Sequence, residues 1–206
     1  MIPTSAKIIM TVLLSLTAVL LFVFRGSRSR KECMIAMLLS SIGDVFMVDG
    51  VIDWSMSTYV GAAFFIAAHI IYAGCAAKNA KERGFEYKNG GFRLGLWIVI
   101  ASAVLLGFLA FAVPEKPMPL MFFLILIYVA VIGYNLCSQF SFGFSAKGAF
   151  YVLPIAIFVF YLTDIFIFLD MLDIEHSLRN LVWYGYPLAQ LGLILFNSPL
   201  KKEKQA

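Results

Sequence analysis

The chain has 206 residues, of which 62% are hydrophobic and only 14% are charged, far below the roughly 25% charged residues of a typical soluble domain. Its formal net charge is +4. This composition excludes an ordinary soluble protein. The apolar residues form blocks of about 17–25, each long enough to cross a bilayer as a helix, which predicts an all-α polytopic membrane protein. Continuous apolar runs such as 94–113 do not alternate with polar residues, which excludes a transmembrane β-barrel.

Seven membrane spans are predicted in chain order, within a single domain of residues 1–206. They cover about residues 7–24, 33–48, 59–77, 94–113, 120–137, 149–170 and 180–196. The segments between them are too short for a separate catalytic domain, and the chain ends in a basic tail, 197–206. Any activity is therefore expected within the bilayer or at its edge.

The positive residues predict the orientation of these spans. Thirteen of the sixteen Lys and Arg residues lie in the first, third and fifth loops and in the tail. Because loops rich in Lys and Arg stay on the cytoplasmic side, we predict a multi-pass protein of the cell membrane with its N-terminus outside and its C-terminus inside. The basic side is expected to contact membrane lipids with anionic headgroups, and no basic face remains for binding nucleic acid.

A short repeat relates the second and sixth spans. Residues 43–49 read GDVFMVD and residues 163–170 read TDIFIFLD. Both helices run from inside to outside in the predicted topology, so a parallel repeat of three spans, one linker span and three spans would superpose them. This arrangement predicts two carboxylates, Asp44 and Asp164, at similar depth in opposite halves of one bundle.

Ionisable side chains inside a bilayer cost about 2.5–3.5 kcal/mol each, so they normally face a cavity, a partner or a pathway. The candidates are Asp44, His69 and Asp164, with the polar Tyr72, Tyr128, Asn135 and Gln190 and with Lys7 at the outer margin of the first span. At a rise of about 1.5 Å per residue, the two aspartates lie between the middle of the membrane and its outer third, and His69 and Gln190 lie at a similar depth. Structural hydrogen bonding between helices is the alternative role for each. Trp183 and Tyr184 are expected to be interface anchors, and Asp170 a solvated residue at a helix end.

The usual motifs of metal-dependent and nucleophilic hydrolases are missing from the sequence. His69 is inside a span and His176 is in a loop, and there is no HExxH, no GxSxG and no Gly-rich phosphate loop. We therefore expect no metal and no cofactor. A carboxylate pair with a histidine and amides is suited to general acid–base catalysis, in which one carboxyl carries a proton while the other is ionised.

Several motifs resemble those of the YhhN-type lysoplasmalogenase family. They are Gly43-Asp44, the run 61–72 that contains His69 and Tyr72, Tyr128, the run 160–164, and the run 184–190 that ends in Gln190. Lys7 stands at the position of the family's first motif, Lys-Pro, and Thr163 stands where the family usually has Ser. Many members have eight spans, whereas seven are expected here.

The resemblance implies an integral membrane hydrolase that acts on a lysophospholipid. It would cleave the vinyl ether bond of a lysoplasmalogen and release a fatty aldehyde and a glycerophospho-base. Asp44 and Asp164 would be the catalytic residues. Residues that would bind or orient the substrate are His69, Tyr72, Gln190, Lys7, Tyr128, Asn135 and Thr163.

Two other functions fit parts of the pattern. A seven-helix transporter of small molecules, or a lipid-binding receptor, could be built from a three-one-three parallel repeat with polar residues near the midplane. The position of the acids toward one face disfavours it. A metal-dependent amidase of the ceramidase type is disfavoured by the low number of histidines.

Overall fold

The computed structural model describes residues 3–26, 28–48, 56–112, 119–171 and 177–197. These residues form seven α-helices and no strand, which confirms the predicted all-helical fold. The helices are α1 (Thr4–Arg25), α2 (Arg28–Met47), α3 (Ser57–Glu82), α4 (Gly90–Ala112), α5 (Pro119–Ala146), α6 (Val152–Met171) and α7 (Arg179–Phe196), and a short 3-10 turn (Gly148–Tyr151) precedes α6. The predicted basic tail, apart from Asn197, lies outside the described residues, as does the loop residue His176.

Five of the helices are long and apolar enough to cross a membrane, namely α1, α3, α4, α5 and α6. The other two are more polar. The first five residues of α2 include the charged residues Arg28, Arg30, Lys31 and Glu32, and α7 contains Pro187 and several polar and aromatic residues. The outward faces of α1 and α4 carry large exposed apolar side chains, a surface suited to contact with lipid.

Six helices form a closed ring around the core. Neighbours in the ring are α1, α2, α3, α5, α6 and α7, and α7 returns to pack on α1 and α2, while α4 packs chiefly against α5. The parallel repeat of three helices, one linker and three helices stays a prediction. Consecutive helices alternate in direction, so α1, α3, α5 and α7 begin at the end of the bundle where α2, α4 and α6 end. We call this the mouth end.

Helices α3 and α5 run farther than predicted. Helix α3 continues to residue 82 rather than 77, and α5 to residue 146 rather than 137. The polar residues after 137 suggested a loop, but they are buried and hydrogen-bonded to the α3–α4 connection. The Tyr87 hydroxyl lies 2.5 Å from Ser138 Oγ, and Asn89 Nδ2 donates to the carbonyl oxygen of Ser141 at 2.9 Å. These tertiary partners allow a polar segment to remain helical.

Two glycines let α2 and α3 cross closely beside Asp44. A Cβ atom on Gly43 would lie 2.9 Å from the Phe65 ring and 3.1 Å from the carbonyl oxygen of Gly61. A Cβ atom on Gly61 would lie 2.7 Å from Met47 Cγ and 3.1 Å from the carbonyl oxygen of Gly43. Small residues at a helix contact permit this close backbone approach. The contact fixes the depth and direction of the residue that follows Gly43.

We expect Gly61→Val to destabilise the fold by about 1–3 kcal/mol, because the added side chain has no space at the α2–α3 contact. Thermal unfolding in detergent, followed by the reactivity of the three buried cysteines, measures this loss. The matched control is Gly74→Ala in the same helix, where a Cβ atom meets nothing within 4 Å. That change should be neutral or stabilising, since Ala is the better helix former. Equal melting temperatures for Gly61→Val and the wild type would contradict the close contact.

Candidate functional site

A pocket of about 200 Å³ occupies the mouth half of the bundle. All seven helices contribute to its lining. Most of the lining is apolar, and the polar side chains are Lys7, Asp44, Thr58, Tyr128, Tyr161, Asp164, Asp170, Trp183 and Tyr186. An apolar cavity with a few convergent polar groups is the usual form of a small-molecule site.

Asp44 faces this pocket from the last turn of α2 and is only 5% exposed. Its Oδ2 accepts a hydrogen bond from Thr11 Oγ1 at 3.0 Å and a second from the Tyr186 hydroxyl at 2.9 Å. These donors come from α1 and α7. The carboxyl of Asp44 is therefore held by three helices, including its own.

Asp164 of α6 lines the same pocket. Its Oδ2 accepts a hydrogen bond from the Tyr128 hydroxyl of α5 at 2.9 Å. Each carboxyl thus receives a tyrosine hydroxyl from a neighbouring helix. The two aspartates come from opposite halves of the bundle, as the repeat suggested, and the fold brings them to one cavity.

A chain of hydrogen bonds leads from Asp44 away from the pocket. Gln190 Nε2 donates to the Tyr186 hydroxyl at 3.2 Å, and the Tyr72 hydroxyl donates to Gln190 Oε1 at 3.1 Å. Gln190 and Tyr72 are fully buried and stand behind the pocket wall. They are placed to orient Tyr186, and through it Asp44, rather than to contact a ligand.

His69 belongs to a second buried network. Gln139 Nε2 donates to Asn135 Oδ1 at 3.2 Å, which identifies that atom of Asn135 as the acceptor oxygen. The Asn135 atom that faces His69 is therefore the donor Nδ2, and it lies 2.9 Å from His69 Nδ1. We therefore assign His69 Nδ1 as an acceptor and place the proton of the neutral ring on Nε2. The His69 ring packs edge-on against Tyr128, with ring centroids 6.0 Å apart. His69 and Asn135 thus support Tyr128 from behind the pocket wall.

The side chain of Thr163 is packed between helices α6 and α7. Its Oγ1 donates to the carbonyl oxygen of Phe160 at 2.7 Å within the same helix, and the side chain is buried. A Cβ atom on Gly185 would lie 2.9 Å from Thr163 Cγ2. Thr163 therefore lies at the α6–α7 contact, where it precedes the pocket residue Asp164 and packs beside Gly185, which precedes the pocket residue Tyr186.

Lys7, Trp183 and Asp170 line the mouth end of the pocket. The Nζ atom of Lys7 lies 4.8 Å from the centroid of the Trp183 ring, within cation–π range. The sequence suggested an interface anchor for Trp183 and a solvated helix end for Asp170, but the structure places both in the pocket wall. Trp183 shares a helix face with Tyr186, three residues later, and this face is turned into the bundle.

Three further residues of the pocket region were not assigned from sequence: Thr11, Tyr161 and Tyr186. Spacing along the helix could have indicated two of them, since Thr11 follows Lys7 by four residues and Tyr186 precedes Gln190 by four residues. Tyr161 lines the pocket and its hydroxyl lies 2.5 Å from Ser102 Oγ of α4. No sequence signal pairs those two residues, because the contact depends on how α4 packs.

The described residues contain no group of three or more His, Cys, Asp or Glu side chains that could hold a metal ion. The pocket instead offers the carboxyls of Asp44, Asp164 and Asp170, with a tyrosine hydroxyl bonded to each of the first two, and largely apolar walls. A carboxyl that carries a proton can donate it to a bound molecule, and an ionised one can take a proton from water. The two carboxyls bonded to tyrosines are suited to proton transfer on the part of a ligand that lies between the apolar walls.

Comparison with known proteins identifies the family of the chain. The sequence model described as the YhhN family matches residues 3–196. No curated protein and no solved structure matches the chain. The family match extends from the start of α1 to the end of α7 and so includes every residue of the pocket.

Proposed function

Because the chain belongs to the YhhN family, we propose that it is a hydrolase of the cell membrane that cleaves the vinyl ether bond of lysoplasmalogens. The products are a fatty aldehyde and a glycerophospho-base. One observation carries the proposal: Asp44 and Asp164 face a single, largely apolar pocket, and each is held by a tyrosine hydroxyl. Two carboxyls in one cleft are the groups that acid-catalysed cleavage of an ether through an oxocarbenium ion needs, as in glycoside hydrolysis.

The first step of the reaction is protonation of a carbon atom of the vinyl ether. One carboxyl of the pair donates its proton to the β-carbon of the vinyl ether, which leaves an oxocarbenium ion. The second carboxylate takes a proton from water as the water oxygen attacks the cationic carbon, and a hemiacetal forms. The second carboxyl then returns that proton to the glycerol oxygen, while the first carboxylate takes the hydroxyl proton of the hemiacetal. The carbon–oxygen bond breaks, and both aspartates return to their starting states with one water consumed.

The apolar walls support this chemistry in two ways. They reduce the screening between an ionised carboxylate and the oxocarbenium ion, which strengthens the attraction that stabilises the transition state. They also match the alkenyl chain, which can lie against Leu106 of α4 and against Leu124 and Ile125 of α5.

We expect purified protein in detergent to release aldehyde from a 1-alkenyl lysophospholipid without added metal or nucleotide. Mass spectrometry of both products identifies the bond that is cut. The saturated 1-alkyl analogue is the control, because it has no double bond to protonate. Turnover should fall at both acidic and alkaline pH, since one carboxyl must carry a proton and the other must be ionised.

Loss of activity in EDTA with recovery on adding zinc would contradict the two-carboxylate mechanism. Uptake of a solute into liposomes without aldehyde release would favour the transporter alternative instead.

A further inference from the structure

The mouth end of the pocket carries one positive and one negative side chain that the proposed reaction does not use. Lys7 of α1 and Asp170 of α6 both line the pocket. The contact of the Lys7 ammonium with the Trp183 ring holds the positive charge at the pocket wall. Opposite charges in the lining of one apolar pocket are suited to a ligand that carries both signs of charge.

These charges lie nearer the mouth end than the two carboxyls of the reaction. Lys7 precedes Thr11, which bonds Asp44, by one helical turn, or about 6 Å along α1. Asp170 follows Asp164 by six residues, or about 9 Å along α6. The pocket therefore has charged groups at the mouth end and proton-transfer groups one to two turns deeper.

In a lysophospholipid, the distance from the ether oxygen to the charged headgroup is similar to the distance from the two carboxyls to the charged groups at the mouth end. Five bonds join the ether oxygen on the first glycerol carbon to the phosphorus atom, which gives about 6 Å at ordinary bond lengths. The ammonium group of choline or ethanolamine lies a few bonds beyond the phosphate. A molecule with its ether bond at Asp44 and Asp164 would thus reach the mouth end with its phosphate and ammonium groups.

We propose that the mouth end is a headgroup subsite in which Lys7 binds the phosphate and Asp170 binds the ammonium of a zwitterionic lysophospholipid. The inference rests on the proposed function, because it places the ether bond at the two carboxyls. The subsite makes the protein selective for net-neutral headgroups, since Asp170 repels a headgroup with an extra negative charge. The alkenyl chain lies beside the headgroup, against the apolar lining that α4 and α5 contribute.

The first test compares substrates that share the vinyl ether but differ in the headgroup. We expect wild-type protein to have a KM about tenfold or more lower for 1-alkenyl lysophosphoethanolamine than for 1-alkenyl glycerol, because a charge-assisted contact to phosphate is lost in the latter. Lys7→Met should reduce this difference by the share due to the phosphate contact, with little change in kcat, and Lys7→Arg should restore it. The control is Lys81→Met, at the far end of α3 and exposed, which should behave as wild type. Equal KM values for both substrates in the wild type would overturn the subsite.

The second test concerns the ammonium group. We expect the wild type to prefer the zwitterionic substrate over 1-alkenyl lysophosphatidic acid, which has the phosphate alone. Asp170→Asn should bring the ratio of the two kcat/KM values toward one by removing both the attraction for the ammonium and the repulsion of the anion. An unchanged ratio in this variant would assign headgroup selection to other residues and overturn the role of Asp170.

A binding measurement separates failure of the subsite from failure of the proposed reaction. The probe is saturated 1-alkyl lysophosphocholine, which cannot form the oxocarbenium ion. Tighter binding to the wild type than to Lys7→Met, by about tenfold, supports the subsite even if no aldehyde is ever released. Aldehyde release with identical affinity in both proteins supports the reaction and overturns the subsite. If Lys7→Met does not fold, the substrate series on the wild type and Asp170→Asn still decide between these outcomes.

Discussion

Asp44→Asn and Asp164→Asn should each lower turnover of a 1-alkenyl lysophospholipid by about 10²- to 10⁴-fold, the usual contribution of a general acid or base. An amide can neither donate the proton that the vinyl ether carbon needs nor accept a proton from water. The fold should survive both changes, because the oxygen of the introduced amide can still accept hydrogen bonds. In the Asp44→Asn variant these come from Thr11 and Tyr186, and in the Asp164→Asn variant the hydrogen bond comes from Tyr128.

Aldehyde release by the purified variants, together with their melting temperatures, measures this prediction. Glu86→Gln is the matched control, because it makes the same carboxyl-to-amide change at an exposed residue of the α3–α4 connection. It should leave turnover unchanged. Near wild-type turnover in either aspartate variant would show that this aspartate only links helices, and the two-carboxylate mechanism would then be wrong.

Tyr186→Phe should lower turnover by about 10- to 100-fold, because it removes a hydrogen bond to a carboxyl that the reaction uses. The change also leaves the buried Nε2 of Gln190 without its acceptor, so the variant should melt at a lower temperature. Tyr184→Phe is the matched control two residues earlier in α7. Its side chain is 63% exposed, and both turnover and melting temperature should stay at the wild-type values.

Tyr128→Phe should have a similar effect on Asp164, and Tyr134→Phe in the same helix is its exposed control. Each variant is assayed for aldehyde release over a range of pH, so that a changed profile can be told from a simple loss of folded protein. If Tyr186→Phe lowered only the melting temperature and left the turnover of folded protein intact, the tyrosine would be a packing residue and Asp44 would not depend on it for position.

The sequence by itself determined the helical class, the number of helices and the two carboxylates. Apolar blocks separated by charged segments have few folded solutions, because the backbone of a membrane span must satisfy its own hydrogen bonds. Buried charge is costly, so Asp44 and Asp164 stood out without knowledge of their surroundings. Short motifs around those residues also indicated the family of the chain, and the match of the family model to residues 3–196 confirms it.

Only the tertiary structure decided which residues surround the carboxylates. Thr11 and Tyr186 reach Asp44 because α1 and α7 close the ring beside α2, and no local pattern specifies that closure. The same packing placed His69 and Gln190 outside the lining of the pocket, although their depth had suggested that they bind or orient the substrate. Depth follows from counting residues along one helix, whereas the direction of a side chain into a shared cavity depends on how each helix is rotated against its neighbours. That rotation is set by contacts such as Gly43 with Gly61, which join residues distant in the chain.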